Sequence, residues 1–206
     1  MWNLQSRHLY LCVGIRPDMS TFLPAVLRGG VDIVQLREKY AARDAQRVAA
    51  REMRAICHEF DVPFIMNDDP ELALEVAADG VHVGQDDVTV EHCRSVLGEQ
   101  AIVGISTHAD DEFANALPLA VSYRSAGPIV ATPTKRERIP TGVEYALRCQ
   151  SLSTDPVFVT GGVDADALPN LLGQGLRHFV VVRALTDTPD PEATARVLAQ
   201  LIRAAI

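Results

Sequence analysis

The sequence predicts a single-domain (β/α)8 barrel, the TIM-barrel architecture, over residues 1–206, and three observations carry that prediction. Short apolar runs alternate with stretches of helical periodicity along the whole chain, the pattern of a mostly parallel sheet. Eight strand–helix units in 206 residues match the lower size range of a closed barrel. Polar groups stand at the C-terminal ends of most of the apolar runs. Along the edge of a doubly wound open sheet, the rival architecture, such groups would be spread out, whereas a closed ring gathers them at one mouth.

The predicted strands are Leu9–Gly14, Asp32–Arg37, Phe64–Asn67, Val81–Gly84, Ile102–Ser106, Val121–Ala126, Val157–Thr160 and His178–Val182. Between them the spacing predicts helices at Phe22–Arg28, Ala42–Phe60, Pro70–Ala78, Val90–Leu97, Asp110–Leu117, Val143–Gln150, Ala165–Leu172 and Pro191–Ala205. Ala42–Phe60 is rich in Ala, Arg and Glu, which favour helix throughout. Pro70, Asp110 and Pro191 stand where helix starts are favoured. Three strands are announced by glycine just past a helix end: Gly29-Gly30, Gly80 and Gly173-Gln174-Gly175.

Composition narrows the function. There are 19 Lys and Arg against 27 Asp and Glu, a net charge of -8, which argues against a nucleic-acid partner while leaving room for a local anion site. Cys12, Cys57, Cys93 and Cys149 are too widely spaced for a zinc site or a disulfide framework and read as reduced thiols. No run approaches the ~20 apolar residues of a membrane span. Leu9 to Ile15 is too short, and too polar in its flanks, for a signal peptide. The expectation is a soluble, cytoplasmic protein, with the oligomeric state, a homo-oligomer included, left open.

The chemistry begins with Gln35-Leu36-Arg37-Glu38-Lys39. Strand side chains alternate, so Gln35, Arg37 and Lys39 share the face toward the mouth while Leu36 packs under the helices. Two cations on one face, with no acid on that face, call for an anion, and a pyrophosphate suits a bidentate Arg beside a Lys point charge. Asn67-Asp68 and Asp86-Asp87 follow neighbouring strands, close enough for two carboxylates to share Mg²⁺ with phosphate oxygens and waters. Helix capping by Asp69 and by Asp86 or Asp87 is the competing explanation, and it leaves one acid over at each site. Ser106 can reach a phosphate oxygen or cap the next helix. His82 and His108 are given no catalytic role, and packing suits His82 at least as well. Thr132-Pro133-Thr134-Lys135 forms either an anion clamp or a polar loop, while Gly161-Gly162 with Val182-Arg183 falls where barrels bind phosphate through backbone N–H groups. Two anion sites, one with a metal, imply two phosphorylated small-molecule substrates.

The ordered set QLREK (Gln35 to Lys39), Asn67-Asp68, GVHVGQDD (Gly80 to Asp87), GISTH (Gly104 to His108), Gly127-Pro128 with TPTK (Thr132 to Lys135), and Gly161-Gly162 resembles the thiamine-phosphate synthase family. The resemblance implies that Gln35, Arg37, Lys39, Asn67 and Ser106 hold an aminopyrimidine diphosphate and that Asp68 and Asp87 bind Mg²⁺. Thr132, Thr134, Gly161, Gly162, Val182 and Arg183 would hold a thiazole phosphate, with Lys135 between the substrates; Arg37, Lys39, Ser106 and Lys135 would carry the chemistry. The implied reaction is departure of pyrophosphate from a pyrimidinyl-methyl group and capture of the resulting cation by the thiazole nitrogen, giving thiamine phosphate. A thiazole tautomerase on the same barrel lacks the pyrophosphate-and-metal set, and an inert phosphate-sensing barrel would have no use for it. The chain departs from the family pattern at Arg183, where many members have Ser, at Ser122-Tyr123-Arg124, and at Thr160, all expected to touch the thiazole side.

Overall fold

The structure, a computed structural model, describes residues 2–131 and 139–206. Eight parallel strands close in sequence order into a ring in which β1 pairs with both β2 and β8. They are β1 Leu9–Val13, β2 Ile33–Leu36, β3 Phe64–Asn67, β4 Gly80–Val83, β5 Ile102–Thr107, β6 Tyr123–Ala126, β7 Val157–Thr160 and β8 His178–Val181. Around them lie α1 Met19–Gly29, α2 Arg43–Glu59, α3 Pro70–Glu75, α4 Val90–Leu97, α5 Asp110–Ala116, α6 Val143–Leu152, α7 Leu168–Gly173, α8 Arg183–Thr186 and α9 Pro191–Arg203. The expected barrel is therefore present, with strand and helix positions close to those expected.

Local chemistry sets the boundaries. Asp69 accepts from the Leu72 N–H ahead of Pro70, Thr89 accepts from His92 N–H, and Asp190 accepts from Ala193 N–H ahead of Pro191, so α3, α4 and α9 each start on a side-chain cap. Helix α3 stops at Glu75, short of the expected Ala78, because Ala77 turns left-handed at φ 54°. Gly30 ends α1 in the left-handed region, as expected from the glycine pair. Gly80 does not end a helix: it is the first residue of β4, and a Cβ there would come within 1.9 Å of the Ile102 carbonyl oxygen. Helix α7 begins at Leu168 because the Asp164 carboxylate holds the Asp166 and Ala167 N–H groups in a preceding turn. The single turn of α8 was not expected, since one helical turn has no period to detect.

The outward-facing strand residues Leu9, Val34, Leu36, Phe64 and Met66 pack under the helices in the main apolar core. Tyr10, Ile33, Ile65, Ile102, Tyr123 and Phe158 fill the barrel itself, with Leu4 of a short N-terminal 3-10 turn in the same cluster. The N-terminal end of the barrel is tied by Asp32, whose two oxygens accept from the His8 and Leu9 N–H groups, and by a stacked His8–His178 pair at 4.8 Å. Burial pushes the Asp32 carboxyl up to about 6 and holds the His178 ring down to about 4. No helix among the described residues is long and apolar enough to cross a membrane.

Candidate active site

Above the aromatic filling, the barrel opens at its C-terminal end into a cavity of about 390 Å³. Its floor and walls come from alternate residues of the strands: Tyr10 and Cys12 of β1, Gln35 of β2, Asn67 of β3, His82 of β4, Ser106 of β5, Tyr123 and Ser125 of β6, and Thr160 of β7. The inward set is thus small or polar near the mouth and apolar beneath, which gives a ligand a place to sit and a rigid base.

Arg37, just past β2, lines the mouth half-buried; its backbone N–H donates to the Val13 carbonyl at 2.9 Å, while its guanidinium has no ion pair or hydrogen bond among the described residues. Lys39 does have an acid nearby, which corrects the expectation of uncompensated cations: its Nζ lies 3.3 Å from an Asp68 carboxylate oxygen. Asp68 takes a left-handed backbone at φ 63°, a conformation that Asp tolerates better than most residues, and this turns its side chain across the strand tips. Burial, then the adjacent Asp87 carboxylate, push the Asp68 carboxyl above the usual carboxylate range, and Lys39 pulls it back. Asp87 is anchored by accepting from Gly84 N–H at 2.8 Å; a Cβ on residue 84 would come within 2.7 Å of that carboxylate and push it aside. Capping does not account for these acids, because Asp69 and Thr89 are the caps. Lys39, Asp68 and Asp87 are not among the residues lining the cavity; they form a group at its rim, beside Arg37 and Asn67.

Opposite this group, Gly161 and Gly162 line the cavity with φ of 93° and 71°. The left-handed backbone at Gly162 favours glycine, and a Cβ there would also come within 2.2 Å of Val130 Cγ2 and push that side chain aside. Val182 and Arg183 lie alongside, Arg183 exposed at the start of α8, and Asp187 one turn on also reaches the cavity. The Arg183 and Ala184 N–H groups face no backbone acceptor one turn earlier, as is usual at a helix start. Thr132, Thr134 and Lys135 lie outside the described residues.

Several placements that the sequence leaves open are resolved by the structure, and two are corrected. Ser106 is a strand residue, and α5 starts from Ala109, so Ser106 is not a cap. His108 is tied to Glu112, which accepts from both its backbone N–H and its ring, and does not line the cavity. Ser122 and Arg124 do not touch the cavity: Ser122 accepts from Val103 N–H, and the buried Arg124 guanidinium donates to the carbonyls of Ala116 and Leu117 ending α5 and pairs with Asp155 at 2.7 Å. Tyr123 between them points inward. Tyr10, Cys12, Ser125 and Asp187 line the cavity without a sequence motif to mark them; the same period-two alternation that selects Gln35 and Arg37 places the three strand residues on the inner face.

The residues present fit a small divalent cation. Among the described residues no cluster of three or more His, Cys, Asp or Glu could hold a metal by itself. Two convergent carboxylates that leave the remaining positions to phosphate oxygens and water are the donor set that suits Mg²⁺. Chemically, the arrangement can bind a diphosphate between Arg37, Lys39 and a carboxylate-held cation, and a second phosphate at the two-glycine turn.

A family model described as thiamine monophosphate synthase matches residues 9–185. The chain is 42% identical over 197 residues to a thiamine-phosphate synthase of Thermus thermophilus, spanning 92% of this chain and 94% of that one. It is 37% identical over 202 residues to a thiamine-phosphate synthase of Synechocystis, spanning 98% of this chain but 59% of the longer relative. Among solved structures, a thiamine phosphate pyrophosphorylase from Pyrococcus furiosus superposes with a TM-score of 0.88 at 24% identity, covering 99% of this chain and 100% of that one. A 3-hexulose-6-phosphate synthase from Salmonella typhimurium superposes at 0.73 with 16% identity, covering 97% and 100%. At those identities the two structures speak for the fold.

Proposed function

The chain belongs to the thiamine monophosphate synthase family, and on that premise we propose that it is a transferase making thiamine phosphate from an aminopyrimidine diphosphate and a thiazole phosphate. The observation that carries the reading is the grouping of Arg37, Lys39, Asp68 and Asp87 at one rim of a barrel cavity whose opposite wall is a two-glycine turn.

In this reading Arg37 and Lys39 bind the diphosphate, and Asp68 and Asp87 hold Mg²⁺ against it. When bound, the ion supplies positive charge that stabilises the departing diphosphate. Gln35 and Asn67 orient the pyrimidine end deeper in the cavity, and the Ser106 hydroxyl meets the diphosphate. Gly161, Gly162, Val182 and Arg183 receive the thiazole phosphate, with Thr132 and Thr134 completing that side and Lys135 between the two substrates, on the family resemblance. The carbon–oxygen bond to the diphosphate breaks with its electron pair leaving on oxygen, and the thiazole nitrogen lone pair forms the new carbon–nitrogen bond. No proton has to move in that exchange, so no protein nucleophile or base is needed. The work left to the chain is to stabilise the leaving charge with Arg37 and Lys39, align the two substrates, and exclude water that would trap the cation.

Four buried free cysteines and the lack of a long apolar helix among the described residues support a cytoplasmic location. The test is to incubate the protein with both substrates and Mg²⁺ and to measure thiamine phosphate and pyrophosphate. Equal yields of the two are expected; diphosphate hydrolysis without coupling, or no turnover, would refute the assignment.

A further inference from the structure

A run of buried side chains forms an unbroken hydrogen-bonded line across the barrel interior beneath the cavity. We propose that this line, from Cys12 through Gln35, Tyr10, Tyr123 and His82 to Ser106, fixes the Ser106 hydroxyl as a hydrogen-bond donor toward the substrate anion, with Tyr10, Tyr123 and His82 as its positioning residues. The proposal rests on the reading of this site as one that binds a diphosphate.

The links are short and continuous. Cys12 Sγ lies 3.0 Å from Gln35 Oε1, Gln35 Nε2 lies 3.1 Å from the Tyr10 hydroxyl, and the Tyr10 and Tyr123 hydroxyls are 2.8 Å apart. The Tyr123 hydroxyl is 2.8 Å from His82 Nδ1, and His82 Nε2 is 2.8 Å from Ser106 Oγ. Packing holds the spacing: Tyr123 stacks on His82 at 5.5 Å and meets Tyr10 and Phe158 edge-on.

Proton counting gives the line a direction. Burial pushes both phenols up, so each tyrosine keeps its single proton. With one proton on the imidazole, every link in the line receives one proton, and the choice made at one end propagates to the other. Only the Gln35 amide has distinct donor and acceptor ends. A thiol is a better donor to a carbonyl oxygen than an acceptor from an amide, so the Cys12 contact turns Oε1 toward sulfur and Nε2 toward Tyr10. Tyr10 then donates to Tyr123, Tyr123 donates to His82 Nδ1, and the Nε2–H of His82 donates to Ser106. Ser125 also donates to Ser106 Oγ, at 3.3 Å. Both acceptor positions of Ser106 are then filled, and its own proton is the one left over, at the cavity wall. Reversing the amide would reverse every link and consume that proton on His82, leaving Ser106 an acceptor turned toward an anion. The line therefore sets the sign of the hydroxyl that meets the substrate.

The direct test is a long-range proton–nitrogen NMR correlation on ¹⁵N-histidine protein without substrate. His82 is expected to carry its proton on Nε2, and Gln35→Glu, which must accept from Tyr10, is expected to move it to Nδ1. A proton on Nδ1 in the unaltered protein overturns the proposal. In turnover, Tyr123→Phe keeps the ring and removes the link; it is expected to lower kcat about 10-fold, in line with loss of one charge-directed hydrogen bond, with KM for the thiazole phosphate unchanged. The Ser106→Ala/Tyr123→Phe double variant should be no slower than Ser106→Ala, and fully additive losses overturn the proposal. Tyr10→Phe cuts the line one link earlier and replaces Tyr123→Phe if that variant does not fold. Because the spectrum needs no substrate, failure to make thiamine phosphate would remove the functional reading while the tautomer still judges the line.

Discussion

Replacing Gly104 with Ala isolates the contact on which the interior of the barrel depends. Gly104 lies in β5, and a Cβ there would come within 2.1 Å of Tyr123 Cζ and 2.4 Å of its hydroxyl oxygen. The fully buried tyrosine ring cannot swing away, since His82, Tyr10 and Phe158 enclose it. Glycine-to-alanine changes can stabilise by ~0.4–1 kcal/mol through the unfolded chain, but overpacking a rigid core costs ~1–3 kcal/mol. If the ring shifts, the hydroxyl also leaves two buried partners, Tyr10 and His82, at ~1 kcal/mol or more each. The clash wins, and the net loss is about 3–4 kcal/mol. With a urea slope of roughly 2 kcal/mol/M, the unfolding midpoint followed by circular dichroism should fall by about 1.5–2 M. Gly104→Ala/Tyr123→Leu, which removes the obstructing ring end, should recover part of that loss. A Gly104→Ala protein within ~0.5 kcal/mol of the unaltered one would refute the reasoning.

Asp68→Asn keeps a side chain that accepts the left-handed backbone, and Asp87→Ala removes a mostly exposed carboxylate; each should leave stability within about 1 kcal/mol yet lower kcat at limiting Mg²⁺ by roughly 100-fold or more. Unchanged rates in both would remove the metal assignment. Arg37→Ala should raise KM for the pyrimidine diphosphate by at least about 10-fold and leave KM for the thiazole phosphate nearly unchanged, whereas equal effects on both would contradict the two-site layout. His178, held down by burial, should titrate by NMR near pH 4. Its unfolded counterpart takes up a proton from about pH 6.5, so its contribution to stability is present above that pH and is lost as the pH falls toward 4, to a total of about 3 kcal/mol. Asp32, raised to about 6, works in the opposite sense over much of that range, which makes the His178 ring the cleaner readout; a midpoint near 6.5 would refute its burial.

Barrel and rim were legible in the sequence because both rest on local signals. Alternation along Gln35 to Lys39 and the acids after β3 and β4 needed only strand geometry to be placed at one mouth. What was not legible depends on relations across the ring. Nothing near Lys39 in sequence announces Asp68 as its partner, and the left-handed backbone that brings them together follows no composition rule. The buried Arg124 looked like an anomaly of the cavity wall; only its outward turn to the α5 carbonyls explains it. The tyrosines of β1 and β6 pair across the barrel although they are 113 positions apart. Helix α8 is a single turn, below the length at which periodicity can be read.

The central claim is that one rim binds a diphosphate through cations and a shared divalent ion. Calorimetric titration of inorganic pyrophosphate into the protein, with and without Mg²⁺, tests it most directly. Affinity should rise at least about 10-fold with Mg²⁺, and Asp87→Ala should abolish that rise. Equal affinity under the two conditions, or a rise that survives the loss of both Asp68 and Asp87, would contradict it.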